Sequence, residues 1–357
     1  MKILYLSGAR RYFGHKIDPF RDPSFIYRIH NPAISAQKLG HEVSIKHLLD
    51  LKNPFISKRW DFAIIHRPSF GKVFINALKF LNENNIPVFG DFDDLIFLDE
   101  YASERPSVMN GFETVLESLK KVKSHLRAIE LISGVIVSNN FLKIQMKKIN
   151  TCPKKIIVMN NSWHISWKKN SKNFNKLGSL MGDNNEQRFI TYFSGTRTHD
   201  RDLKIILKPL SKVLTRHKNI KFKIIGKVGI NSDIVDITNF EKKVHFKKYH
   251  EVVSKSLVNL APLENTSFNQ SKSALKVIEA SFFGVKTICS PINEYLLSPF
   301  ALRSIAYSSL DWEKQINDAL KKAHDEKTKR IIMNESKKNF NPLKTTKKFI
   351  HEIQSLY

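Results

Sequence analysis

Short apolar runs recur along the chain, each closed by a small or polar residue and followed by a stretch with helical spacing. Residues 2–6, KILYL, predict a first strand that runs into Ser7-Gly8-Ala9, a small-residue turn. A short helix over 32–39, stopped by Gly40, and a strand over 41–45 complete a βαβ opening. The pattern continues with a strand over 62–65 leading into His66-Arg67-Pro68, a helix over 72–82, and a strand from Pro87 ending in Gly90-Asp91-Phe92-Asp93-Asp94. A long amphipathic helix is expected over 107–130, then strands over 134–137, with a helix cap at 138–140, and over 156–159. Residues 164–187, polar and rich in Asn and Lys for most of their length, lack periodicity and are expected to connect two domains. The alternation restarts at 189–193, with a loop over 194–200, a helix over 202–214, strands over 222–225 and 258–261, and a short apolar piece at 244–246. Helices are expected over 310–324 and 343–355. The class is therefore α/β, with two doubly wound, Rossmann-like halves alike only in architecture.

The stretch from 257 to 290 organises the second half. Its strand is followed by a polar loop, an expected helix over 271–283, Gly284 as the stop, and a strand over 285–289. In an open α/β sheet such a loop lies at the carboxyl edge, where ligands bind. Lys272, Lys276 and Glu279 fall on one helical stripe, and Asn269 and Ser271 are expected as caps that leave N–H groups open at the helix start. A helix start with a lysine suits a phosphate, and Glu279, about 10 Å further along the axis, suits ribose hydroxyls. The competing reading is an ordinary amphipathic helix with a solvated charged face.

The formal charge of +26 narrows the partners to nucleic acid, an anionic membrane surface or anionic substrates. No nucleic-acid-binding motif appears, so membrane surface and anionic ligands are favoured and nucleic acid is not expected. No run is long and apolar enough to span a bilayer, and the N-terminus has no signal-peptide pattern. Cys152 and Cys289 lie in or beside apolar segments, which suits a reducing cytoplasm and makes a metal site built on them unlikely by composition.

Two further groups carry candidate chemistry. In the loop after 189–193, Gly195 permits close backbone approach, Thr196 and His199 add polar contacts, and Arg197 offers a fork for phosphate; the alternative is a helix start capped by Asp200. In the first half, Gly8, Arg28, His66, Arg67, Asp93 and Asp94 lie at or near expected strand ends. Asp91, Asp93 and Asp94 could gather a metal, cap a helix, or hold Arg67 or Arg28.

KILYLSG at the start, GDFDDLIF at 90–97, GVIVSNNFL at 134–142, IIVMNNS at 156–162, YFSGTRTHDRD at 192–202 and LAPLENTSFNQSKSALKVIEASFFGVKTICSP at 260–291 together resemble bacterial glycosyltransferases of the GT-B fold. The resemblance is to the large retaining group called family 4, and within it to enzymes of O-antigen and capsule assembly. It implies two Rossmann-like domains facing across a cleft: an acceptor-binding domain over 1–163, the connection over 164–187, and a nucleotide-sugar-binding domain over 188–340. A C-terminal helix over 341–357 is expected to pack back on the first domain. It further implies transfer of a sugar from a nucleotide sugar to a glycan acceptor, lipid-linked, at the inner face of the cell membrane, with no cofactor and no metal. Glu279 looks like the second glutamate of the family's Glu-x7-Glu element, where the first falls on Ser271. Arg197 and Lys272, with Lys204 in reserve, look like the diphosphate-binding pair. The competing functions are a non-catalytic GT-B scaffold or glycan-binding protein and a nucleotide-sugar epimerase.

Overall fold

The computed structural model describes residues 1–8, 18–52, 60–168, 188–194, 197–229, 238–241 and 244–356, with backbone alone at 52, 188, 197 and 238–240. The chain divides into two compact units. The first holds Met1–Val108, Glu113–Ile165 and Pro342–Tyr357; the second holds Met109–Phe112 and Ser166–Asn341.

The central runs, residues 3–6, 62–65, 88–92 and 134–137, become strands buried on both faces, the reason they do not alternate with charged positions. In the first unit β1 (Lys2–Ser7), β2 (Glu42–His47), β3 (Phe62–His66), β4 (Val88–Phe92), β5 (Gly134–Val137) and β6 (Ile156–Val158) form one parallel sheet in the order β2-β1-β3-β4-β5-β6. Its core joins Tyr5, Phe62, Ile64, Phe89 and Ile136 to Phe349, Ile350 and Ile353 of the C-terminal helix Pro342–Gln354. In the second unit β7 (Arg188–Phe193), β8 (Ile220–Ile225), β9 (Thr238–Glu241), β10 (Ser256–Ala261), β11 (Lys286–Cys289) and β12 (Arg303–Ile305) form another, ordered β12-β11-β10-β7-β8-β9, again parallel throughout. Its core is built on Ile190, Leu203, Phe222, Ile224, Leu260, Ile288 and Trp312.

Both sheets reverse winding direction once. The switch falls between β1 and β3 in the first and between β7 and β10 in the second. Loops leaving the two strands at such a point diverge and open a crevice at the carboxyl edge. Gly226, at the end of β8, fixes one wall: its φ is +119°, and a Cβ there would stand 1.8 Å from the Ser194 carbonyl oxygen.

Three expected elements differ, and one long helix was not expected. The helix expected over 107–130 is two pieces, Pro106–Met109 and Val115–Ile129, because Gly111 takes a φ of +73° and Thr114 with Glu117 starts a new helix through a reciprocal capping box. The strand expected near 244–246 is instead the start of a helix, Phe246–Ser254, capped by His245. Glu326–Asn339, a helix poor in apolar residues that buries Ile332 and Ser336, has no counterpart in the expected elements. The helix expected over 271–283 is Ser267–Gln270 followed, after a turn, by Leu275–Phe282.

Candidate functional site

The break at 271–274 is set by Thr266. Its hydroxyl accepts the Asn269 N–H at 3.1 Å, so a short helix begins before the expected one. Asn269 and Ser271 are consequently not N-caps. Ser271 is fully buried and donates its hydroxyl to the Phe268 carbonyl at 2.6 Å. The longer helix begins at Leu275, packed against β10, and the residue at its cap position, Ala274, has no side chain that could accept from its first turn.

Asp202, from the first turn of the helix Asp200–Arg216, ties the crevice together. One carboxylate oxygen accepts the Glu264 N–H at 2.8 Å and the Asn269 amide at 3.2 Å; the other accepts His199 Nδ1 at 2.8 Å. The Asn269 amide also donates to the Glu264 carbonyl at 3.0 Å, while its Oδ1 is buried with no partner. Asp200, expected as a possible cap, accepts the Gly229 N–H at 2.8 Å instead. Asn110, from the segment 109–112 that belongs to this unit, donates to the Thr198 carbonyl at 2.8 Å.

At the centre stands Lys276. Its ammonium is buried, has no hydrogen-bond partner, and lies 4.4 Å over the ring of Tyr192, the penultimate residue of β7. The Tyr192 hydroxyl is likewise buried and unpartnered. Burial pushes the ammonium down from 10.5 to about 8, against the pull of Asp202 and Glu279 and with the help of Lys272. A cation–π contact supplies on the order of 1–2 kcal/mol, less than a buried ammonium forfeits in water. Lys272, its Nζ 4.7 Å over the Phe268 ring, adds positive potential that both Lys276 and His199 feel. Burial, chiefly, and these two lysines push the His199 imidazole down despite Asp202. Glu279 accepts the buried Tyr249 hydroxyl at 2.8 Å. The arrangement sets two lysines against the carboxylates of Asp202 and Glu279 and leaves the Lys276 ammonium, the Tyr192 hydroxyl and the Asn269 Oδ1 without hydrogen-bond partners.

His199, Asn269, Lys272 and Glu279 of the sequence-derived set therefore converge with Lys276 and Asp202, and Ser271 supports them from beneath. Gly195 and Thr196 lie outside the described residues, as does the Arg197 side chain. The sequence reading placed Lys276 on the right stripe but gave the phosphate to Lys272, because a helix starting at 271 puts Lys272 in its first turn. Asp202 was missed; an acid in the first turn of the helix that closes the 194–200 loop was its signal.

The first unit carries a separate network. Asp91 ends up inside β4, fully buried. Arg28 reaches it from the π-helical turn Phe25–His30, donating Nε to both oxygens at 3.2 and 3.1 Å and Nη2 to Oδ1, with Nη1 on the Met159 carbonyl at 2.6 Å and on Asn161 at 3.0 Å. Burial opposes ionisation of Asp91, but Arg28 and His66 outweigh it and hold the carboxyl down at about 2. His66 donates Nδ1 to Asp91 at 2.8 Å, leaving its buried Nε2 without a hydrogen-bond partner, 3.8 Å from Asp93. Arg67 occupies a left-handed backbone conformation, φ +47°, at the end of β3; its guanidinium bonds Asp93 at 2.5 Å and also Asp94. Of the roles left open for these acids, the structure gives ion pairs: Asp91 with Arg28, and Asp93 and Asp94 with Arg67. Gly8 sits at the end of β1, its Cβ position 3.4 Å from Leu48. Among the described residues, no group of three or more His, Cys, Asp or Glu is placed to hold a metal ion. No described helix is long and apolar enough to cross a membrane.

No protein-family model and no curated protein sequence matches the chain. Solved structures do. The chain is similar over 99% of its length to 100% of Anabaena HepE in complex with UDP-glucose, at 12% identity and TM-score 0.62. It is similar over 99% to 99% of the catalytic domain of Arabidopsis thaliana starch synthase IV bound to ADP and acarbose, at 11% identity and TM-score 0.64. The fold is that of the GT-B glycosyltransferases. A Listeria monocytogenes structure described as a putative UDP-N-acetylglucosamine 2-epimerase is also similar, at 11% identity and TM-score 0.55 over 99% of this chain and 96% of that one.

Proposed function

We propose that the chain is a glycosyltransferase that binds a nucleotide sugar in the second unit, at the crevice between β7 and β10. The observation that carries this reading is the buried Lys276 ammonium, without a hydrogen-bond partner, in the first turn of a helix at a topological switch point. A diphosphate supplies the anion that the ammonium lacks, and Lys272 adds to the field. The Asn269 Oδ1 is an acceptor for a sugar hydroxyl, and Glu279, oriented by Tyr249, is an acceptor for ribose hydroxyls. Two structurally similar proteins, solved in complex with UDP-glucose and with ADP and acarbose, support the same class of donor.

Departure of a nucleoside diphosphate builds negative charge, and the lysines and helix start stabilise it where it forms, without a metal. Arg197, whose backbone begins the turn Arg197–His199, belongs to the same cradle in this reading. Transfer proceeds with retention, the leaving phosphate accepting the proton of the acceptor hydroxyl. The acceptor is a glycan, lipid-linked, of bacterial surface polysaccharide, taken by the first unit through Arg67, His66 and their acids. The net charge of +26 supports docking to an anionic membrane surface at its cytoplasmic side.

The test is turnover of a panel of nucleotide sugars with and without lipid-linked glycan acceptors. Acceptor-dependent release of nucleoside diphosphate, with the product's anomeric configuration that of the donor, supports the reading. Conversion of a UDP-sugar without any acceptor supports the epimerase; binding with no turnover supports the scaffold.

A further inference from the structure

At the opposite, amino-terminal edge of the second sheet lies a pocket of about 220 Å³, distinct from the crevice between β7 and β10. Its polar lining comes from Lys286 at the start of β11, Ser304 of β12, Gln315, Asp318 and Lys322 of the helix Ser309–Lys322, and Lys329 of the helix Glu326–Asn339. Gly284 lets the two layers close: its φ is +78°, and a Cβ would meet Lys329 at 3.2 Å and Met333 at 3.3 Å.

The charges in this pocket are unbalanced. Asp318 is paired with Lys321 at 3.3 Å, and Lys329 with Glu326 at 2.9 Å. Lys286 and Lys322 have no acidic partner among the described residues, and the half-buried Lys286 has Lys322 and Arg303, both cations, as its charged neighbours. Burial and these neighbours push the Lys286 ammonium down. Part of the Lys322 charge answers the carboxyl end of its own helix. Lys286 begins a strand, so that explanation does not extend to it. A half-buried lysine, Lys286, and an exposed one, Lys322, line the same cavity with Ser304 and Gln315, a set of donors that suits a dianion. The volume is below the roughly 300 Å³ at which drug-sized ligands begin to fit, which suits a small ester better than a whole nucleoside diphosphate.

We propose that this pocket is a second anion site, for a small phosphate monoester bound between Lys286 and Lys322. The ester is either a soluble metabolite or a lipid headgroup, and the two are separated by the probes. Binding of glycerol 3-phosphate to the full chain is measured by calorimetry, and binding to phosphatidic acid vesicles by sedimentation, with phosphatidylcholine vesicles as reference. Saturable binding of either probe is expected, weakened about tenfold or more in Lys286→Met/Lys322→Met and unchanged in Lys79→Met. Binding of the soluble probe assigns a metabolite; binding of the vesicles alone assigns a headgroup. The proposal fails if neither probe binds, if Lys276→Met abolishes binding while the double variant retains it, or if Lys79→Met, on an exposed face of the first unit, weakens binding as much. Thermal denaturation of the double variant guards against misfolding: relief of repulsion predicts a melting temperature at or above wild type. A fall in melting temperature with unchanged binding gives the lysines a structural role and overturns the site.

Discussion

Replacing Lys276 by methionine separates a functional lysine from a structural one. The side chains are similar in length, so the pocket over Tyr192 stays filled while the charge goes. Lowering the ammonium from 10.5 to about 8 corresponds to roughly 3 kcal/mol against the charged form at neutral pH, at about 1.4 kcal/mol per pH unit. The folded value lies below the unfolded one, so the unfolded chain binds the proton more tightly. The penalty is full below pH 8 and fades as pH rises toward 10.5. Lys276→Met therefore stabilises the empty protein by up to about 3 kcal/mol at pH 7, which is about 6–12 °C in Tm for a unit of this size. The advantage over wild type shrinks as pH approaches 10. A nucleoside diphosphate reverses the order: it raises the wild-type Tm and leaves the variant's nearly unmoved, the pair being worth on the order of 2–5 kcal/mol. Thermal denaturation at pH 7 and pH 10, with and without nucleotide, reads all of this. A variant less stable than wild type when empty, or one that gains as much from nucleotide, refutes the argument.

Glu279→Ala leaves the buried Tyr249 hydroxyl unsatisfied, so denaturant unfolding should show a loss of about 1–3 kcal/mol together with weaker nucleotide binding; Tyr249→Phe should spare most of the affinity if Glu279 itself is the contact. Asp91, held at about 2 against an ordinary 3.8, contributes stability that is present above pH 4 and lost as pH falls toward 2, on the order of 2 kcal/mol. In Asp91→Asn that acid-dependent loss should vanish from the unfolding profile, with Arg28 left unpaired at a cost of roughly 3–5 kcal/mol. Gly226→Ala places a methyl group 1.8 Å from the Ser194 carbonyl in a left-handed conformation, and soluble yield and Tm should both fall sharply, by several kcal/mol of stability or about 3 and more.

The sheets were legible in the sequence because parallel strands are buried on both faces and leave unbroken apolar runs. Ile3 to Leu6 and Phe62 to Ile65 are such runs, and each lies in a strand. Helix boundaries were less so, since a cap decides them and several residues compete to be one. Thr266 takes the role expected of Asn269, and Thr114 with Glu117 restarts a helix that periodicity alone extends across Gly111. The short edge strand β12 and the charged helix Glu326–Asn339 carry too little apolar pattern to stand out. For the site, residue types and loops were readable, but the choice between Lys272 and Lys276 turned on a four-residue shift in the helix start. Asp202 and Tyr249 act through tertiary hydrogen bonds, which have no local pattern.

The central claim is that the Lys276 crevice holds the diphosphate of a nucleotide sugar. Titration calorimetry of the full chain with UDP, GDP and ADP and with their sugar esters, in chelator, tests it most directly. The account predicts saturable binding of one nucleotide series at one site per chain, about a hundredfold weaker or absent in Lys276→Met. Binding of no nucleotide, or equal binding by wild type and Lys276→Met, would contradict it.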